Sequence, residues 1–149
     1  MKKIFIFLAA LVLMVGCSST PVKVEVPVEV SLKNVAGNEY TLTNLFAENN
    51  LTIGFDKEGR IFGFAGINRF FGKADINNGT INIGALATTK MAGPRDKMIV
   101  EDQYLTLLKN AKTIKEDGDK LILSNEKEEE MIFIKKYTIL SLDCSISVL

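Results

Sequence analysis

Lys73-Ala74-Asp75-Ile76-Asn77-Asn78-Gly79-Thr80-Ile81-Asn82-Ile83 decides the fold, because it reads as two short strands around Asn77-Asn78-Gly79. Asn-Gly tolerates the left-handed backbone of a two-residue hairpin turn, which makes it the strongest local signal for a β-hairpin. The same grammar repeats on both sides. Leu51 to Phe55 and Arg60 to Phe64 flank Asp56-Lys57-Glu58-Gly59, and Lys112 to Lys115 and Lys120 to Leu123 flank Asp117-Gly118-Asp119. Met131 to Ile134 follows the polar run Asn125 to Glu130 as a further strand. Short strands at this spacing predict an all-β barrel or sandwich.

One segment departs from that rhythm. Between Arg95 and Ala111, the apolar residues Val100, Tyr104, Leu107, Leu108 and Ala111 fall on one face of a helix. Pro94 and Asp96 suit its start, and Lys109 and Lys112 suit the negative end of its dipole. The pattern therefore predicts one amphipathic helix packed against a curled sheet.

At the N-terminus, Lys2 and Lys3 precede 12 apolar residues, Ile4 to Val15, followed by Gly16-Cys17-Ser18-Ser19-Thr20. A bilayer needs about 20 such residues, so 1–16 reads as a cleaved signal peptide. Leu13 to Cys17 resembles the lipobox of bacterial lipoproteins, with Met14 where leucine is usual. That resemblance implies a diacylglyceryl thioether on Cys17 and an acylated amine, hence an envelope protein anchored to the membrane by lipid. One acyl chain is marginal at ~0.8 kcal/mol per buried methylene, whereas two or more hold. Ser18 after the cysteine points to the outer membrane if the cell has two. Residues 17–27, with Pro21 and Pro27, are expected to form the lipidated tether, and a first strand to begin near Val28. At the other end, 137–149 is expected to be an extension. There Leu140, Leu142, Cys144, Ile146 and Val148 alternate with Ser141, Asp143, Ser145 and Ser147, the period of an extra half-buried strand. Cys144 then faces inward as an inert apolar residue.

Phe64-Ala65-Gly66-Ile67-Asn68-Arg69, then Gly72, then Ala87-Thr88-Thr89-Lys90-Met91-Ala92-Gly93 and Glu101 resemble the META/HslJ domain family. The resemblance runs from about Leu51 to Ile134. It implies that 28–136 is one mainly β domain, a small cracked barrel or curled antiparallel sheet with one packed α-helix, similar to the pilotins of type III secretion. It also implies a place on envelope lipoproteins, a link to envelope stress, motility or virulence, and no enzymatic activity. The family commonly has cysteine where Ile67 and Gly93 stand. If that pair forms a disulfide or a shared site, this chain has lost it whole, which argues against a redox or metal role. A disulfide is worth about 2–4 kcal/mol, and burial of Ile67, at about 1.5–3 kcal/mol, offsets part of that.

Composition removes several chemistries. The chain has no histidine, which eliminates Ser-His-Asp and Cys-His catalysis and most zinc sites. Its formal charge is zero, and without Lys2 and Lys3 it carries 16 basic against 18 acidic residues. With no Arg-rich stripe, nucleic acid is not an expected partner. Asp117-Gly118-Asp119 lacks the remaining ligands of a calcium loop. No metal or cofactor is expected.

Two function classes remain. The favoured one is a non-enzymatic module that binds an envelope protein, a lipid or another apolar ligand. Tyr104 and Leu108 on the helix, with Phe62 and Phe64 on a facing strand, are candidates for the walls of a groove, although the favoured reading is that all four simply fill the core. Asn68 and Arg69 are further contact candidates, although Asn68 also suits a turn or the satisfaction of backbone groups. Gly63, Gly66 and Gly72 read as bulges or tight turns rather than a phosphate loop. The alternative is a hydrolytic enzyme of unrecognised type that uses carboxylates without histidine, Asp56 or Asp75 with Arg69.

Overall fold

The computed structural model describes residues 30–137. Cys17, the signal peptide, the tether and the alternating run from Leu140 to Val148 lie outside the described residues. Val30 is buried but belongs to no strand, unlike the expectation of a strand from about Val28. Its carbonyl accepts the Gly79 N–H at 3.1 Å, and the chain turns at once into α1, Leu32–Val35. Asn34 Oδ1 accepts the Ser31 hydroxyl and N–H at 2.8 and 3.1 Å and fixes that turn.

The strands follow as β1 (Glu39–Leu42), β2 (Thr52–Phe55), β3 (Arg60–Phe64), β4 (Arg69–Asn77) and β5 (Thr80–Thr88). Helix α2 (Arg95–Asn110) comes next, then β6 (Ala111–Asp117), β7 (Lys120–Asn125) and β8 (Glu130–Lys135). All eight strand–strand pairings are antiparallel, and β1 also pairs with β8, Thr41 opposite Ile134, so the sheet closes into an eight-stranded barrel. Each expected hairpin is present. At the deciding one, Asn78 and Gly79 both have positive φ, 47° and 74°, as a primed two-residue turn requires.

The barrel is uneven. β4 and β5 pair from Phe70↔Thr88 down to Asn77↔Thr80, with one bulge between Gly72 and Ala74. β5 and β6 meet at one registered pair, Thr80↔Thr113, beside the Ile114 N–H bond to Gly79 O at 2.9 Å. Helix α2 connects these two strands and packs against β5 and β7. It buries Tyr104 and Leu108 completely, and Val100 and Leu107 pack at the margin of the core. A helix laid along a strand edge shields it from pairing with another chain.

Strand alternation sorts the two faces. Inside, Tyr40, Phe55, Phe70, Tyr104 and Phe133 fill the barrel together with branched aliphatic residues. Phe70 and Tyr104 meet edge to face, their ring centroids 5.9 Å apart. Fully burying such a side chain contributes about 1.5–3 kcal/mol, so this interior supplies the fold's driving force.

Candidate functional site

Asn68 is the one buried polar residue among the described residues, and every polar atom of its side chain is used. Its Oδ1 accepts the Met91 N–H at 2.7 Å and the Thr89 hydroxyl at 2.9 Å. Its amide donates to Met91 O at 3.1 Å and to Glu101 Oε1 at 2.9 Å, while its backbone N–H donates to Glu101 Oε2, also at 2.9 Å. Asn68 O accepts the Ala65 N–H at 2.8 Å, closing the turn that carries Gly66 at φ 103°. One side chain thus joins the β3–β4 turn, the segment after β5 and helix α2. A group with its hydrogen-bonding capacity filled in this way is a clasp and has nothing left for a ligand.

Tyr104 and Leu108 lie in the core, where the Tyr104 hydroxyl donates to Thr52 O at 3.0 Å. Burial pushes the Tyr104 phenol well above its usual 10.0. Phe62 and Phe64 point the other way. On β3, Ile61 and Gly63 face inward, and Phe62 and Phe64 sit on the outer surface. The four candidates are therefore split: Tyr104 and Leu108 fill the core, as the favoured reading has it, whereas Phe62 and Phe64 lie on the outer face, so the four wall no common groove. The inward position between Phe62 and Phe64 takes glycine because a Cβ there would collide first with the Thr52 carbonyl oxygen and would also stand 2.7 Å from Phe70 Cζ.

The outer face does bring Phe64 and Arg69 together, as cross-strand partners. They border a shallow cleft of about 360 Å³ with Thr41, Thr52, Glu39 and Lys136. Phe62 borders a second cleft, about 660 Å³, with Phe55, Lys57, Lys135 and Tyr137. Glu39 and Lys136, 3.8 Å apart, line both. Phe71 stands opposite Phe62 and is 57% exposed.

The carboxylates do not converge on a reaction centre. Asp56 Oδ1 accepts the Glu58 and Arg60 N–H groups, each at 2.9 Å, and Oδ2 accepts Arg60 Nε at 2.5 Å. The Arg60 backbone N–H, ahead of the Arg60 guanidinium, holds the Asp56 carboxyl below the usual carboxylate range. This carboxylate is built into the β2–β3 turn. Asp75 is exposed on β4 opposite Asn82. Among the described residues no cluster of acidic or cysteine side chains is arranged to hold a metal.

The family model for the META domain matches residues 29–138. The chain belongs to the META domain family. Solved structures share its fold. A protein from Burkholderia xenovorans, determined by NMR, matches with a TM-score of 0.61 at 17% identity, over 72% of this chain and 87% of its own. A DUF4847 family protein from Bacteroides vulgatus matches with a TM-score of 0.53 at 15% identity, over 68% and 94%. A comparison with curated proteins gives no match. Neither the family nor these neighbours indicates an enzymatic activity.

Membership gives Asn68 and Glu101 a common meaning, since both stand in the stretches through which the chain resembles other META domains. The sequence offered Asn68 as a contact candidate but favoured satisfaction of backbone groups, which it performs at Met91, and gave no role to its partner Glu101. The two positions where the family commonly has cysteine also meet here. A Cβ on Gly93 would lie 2.5 Å from Ile67 Cδ1, so the isoleucine occupies the space that Gly93 leaves. This META domain joins the same two segments by packing.

Proposed function

We propose that this META domain is the folded part of an envelope lipoprotein, anchored through Cys17. It acts without catalysis by binding a protein, a lipid or another apolar ligand. Residues 1–16 are the signal peptide and 17–27 the tether, and Ser18 directs the protein to the outer membrane where the cell has two. The observation that carries this reading is Gly16-Cys17-Ser18 directly after 12 apolar residues, a position that suits acylation of Cys17. The filled barrel interior supports binding on the outer surface, where Phe62, Phe64 and Arg69 are accessible, rather than within the barrel. The test is Cys17→Ala with metabolic labelling by a fatty acid and mass analysis. Loss of label, with accumulated precursor or soluble protein, is expected. Unchanged mass and membrane partitioning in the variant would remove the anchor and with it the envelope assignment.

A further inference from the structure

We propose that residues 138–149 fold back over the outer face of the barrel and seat in the cleft beside Phe62, so that the chain's own tail is the cleft's occupant. The inference stands without the anchor at Cys17. Where it meets the binding reading above, it adds that any ligand of this face competes with the tail. Tyr137, the last described residue, lines the cleft of about 660 Å³ together with Phe62, Phe55 and Lys57. One residue earlier the chain is still held against β1, where the Lys136 N–H donates to Glu39 O at 2.7 Å. Among the described residues no vacant edge lies beside β8, which pairs with β7 on one side and β1 on the other. At the weak seam, α2 packs against β5. An alternating segment that leaves Tyr137 therefore buries its apolar side against an outer face rather than lengthening the sheet.

Leu140, Leu142, Cys144, Ile146 and Val148 fall on one side of an extended chain, and such a segment holds its shape only where that side is covered. The row of residues that starts at the tail offers the cover. Across the sheet it runs Lys136, Glu39, Gly54, Phe62 and Phe71, each opposite the next. Gly54 leaves room for the Phe62 ring, since a Cβ there would stand 2.7 Å from it. Phe62 and Phe71 remain 39% and 57% exposed. At about 4.8 Å per strand the row is roughly 19 Å long, which about six extended residues cover at ~3.3 Å each. Counted from Tyr137, Leu140 falls near Gly54, Leu142 near Phe62 and Cys144 near Phe71.

Charge fits the same occupant. The cleft sets Lys57, Lys135 and Lys136 against Glu39 and Asp56. Both carboxylates are taken, Asp56 by Arg60 and Glu39 by Lys136 at 3.8 Å, whereas Lys57 and Lys135 form no ion pair among the described residues. The tail brings one carboxylate, Asp143, and no basic side chain. Exposed ion pairs stabilise little, so burial of the leucines holds the tail and the charge orients it.

The mature chain with Cys17→Ser, Cys144→Ala and Ser145→Cys carries one thiol, on the polar side of the tail, for a nitroxide label. The chain lacks tryptophan, so Phe71→Trp adds a single reporter at the end of the row. A second protein carries the reporter instead at Ile122→Trp, on the outer face of β7. A nitroxide quenches an indole only at short range, so docking predicts strong quenching at position 71 and little at 122. Leu142→Ser, outside the described barrel, should shift the docking equilibrium about tenfold toward the open form and restore emission at 71. Unaltered melting of the two reporter proteins confirms that they fold. Cys17→Ser removes acylation, so the result is read apart from the anchor. Equal quenching at the two positions, stronger quenching at 122, or no response to Leu142→Ser overturns the proposal. So does quenching at 71 that disappears on dilution with unlabelled chain lacking the reporter, since the tail of a second copy is then the occupant.

Discussion

The two long joints of the barrel are built differently. Between β4 and β5 the chain spends backbone hydrogen bonds, ladder rung after ladder rung around one Asn-Gly turn. Between β5 and β6 it keeps one registered pair and inserts α2, so the wall there is held by side chains. The local joint needs correct turn chemistry, whereas the helix-filled joint needs Tyr104, Leu108 and the Asn68–Glu101 clasp. Mutations should therefore act unequally on the two.

The largest effect is expected at Leu108. It is fully buried, and truncation to alanine removes the methyl groups and leaves a cavity, at about 2–5 kcal/mol. Chemical denaturation gives the total. Hydrogen exchange locates it, with amides of Ile81 to Thr88 losing protection before those of β2 and β3. Uniform loss of protection would mean that the helix joint is no weaker than the rest.

Asn68→Ala comes next. It deletes bonds to three residues in two segments, Thr89 and Met91 after β5 and Glu101 on α2, and leaves the Glu101 carboxylate without its side-chain amide donor, a cost of about 1–3 kcal/mol. Glu101→Gln, which keeps an acceptor oxygen, should cost less than Asn68→Ala. An equal loss would place the value of the clasp in the charge rather than in the network.

How much of this was legible follows from the range of each interaction. Turns are local, so Asn77-Asn78-Gly79 and Asp56 to Gly59 announced their hairpins, and the spacing of Tyr104 and Leu108 announced α2. Glu39–Leu42 went unseen because it is short, and because the first strand was expected upstream, from about Val28. The orientation of β3 was misjudged for a packing reason. Phe62-Gly63-Phe64 suggests two aromatic residues turned inward, yet the interior position belongs to Gly63, where the Thr52 carbonyl oxygen and the ring of Phe70 leave no room for a side chain. The same long-range fact put Phe62 and Phe71 outside as a pair. Glu101 was visible as part of a resemblance, but a carboxylate bonding 33 residues back leaves no periodic trace.

A smaller effect concerns the contact of Ile67 with Gly93. Gly93→Ala would place its Cβ 2.5 Å from Ile67 Cδ1, a crowding expected to cost about 1 kcal/mol. Ile67→Val removes that methyl, so the double variant should recover most of the loss. Independent, additive costs in the cycle would show that the two segments are held by something else.

The smallest effect separates two buried tyrosines, one on the helix of the β5–β6 joint and one on a strand laddered on both sides. Tyr104, on α2, donates to Thr52 O at 3.0 Å, so Tyr104→Phe should cost about 0.5–1.5 kcal/mol. Tyr40, on β1, has no hydrogen-bond partner for its buried hydroxyl at 3.5 Å or less among the described residues, although Asn38 exerts a weak opposing pull on its acidity. Removing that hydroxyl should cost nothing and stabilise slightly. The two phenols share a pH signature. Burial raises both, first at Tyr104 and, with the Glu116 carboxylate adding, at Tyr40. A raised phenol favours its protonated form in the fold, so its contribution is fully present below the unfolded pKa of about 10 and is lost as pH rises through the folded value. Melting curves between neutral and strongly alkaline pH should fall steeply above that point in the wild type and less steeply in Tyr104→Phe. If Tyr104→Phe and Tyr40→Phe give the same stability at neutral pH, the Thr52 bond contributes nothing and the helix joint rests on apolar packing alone.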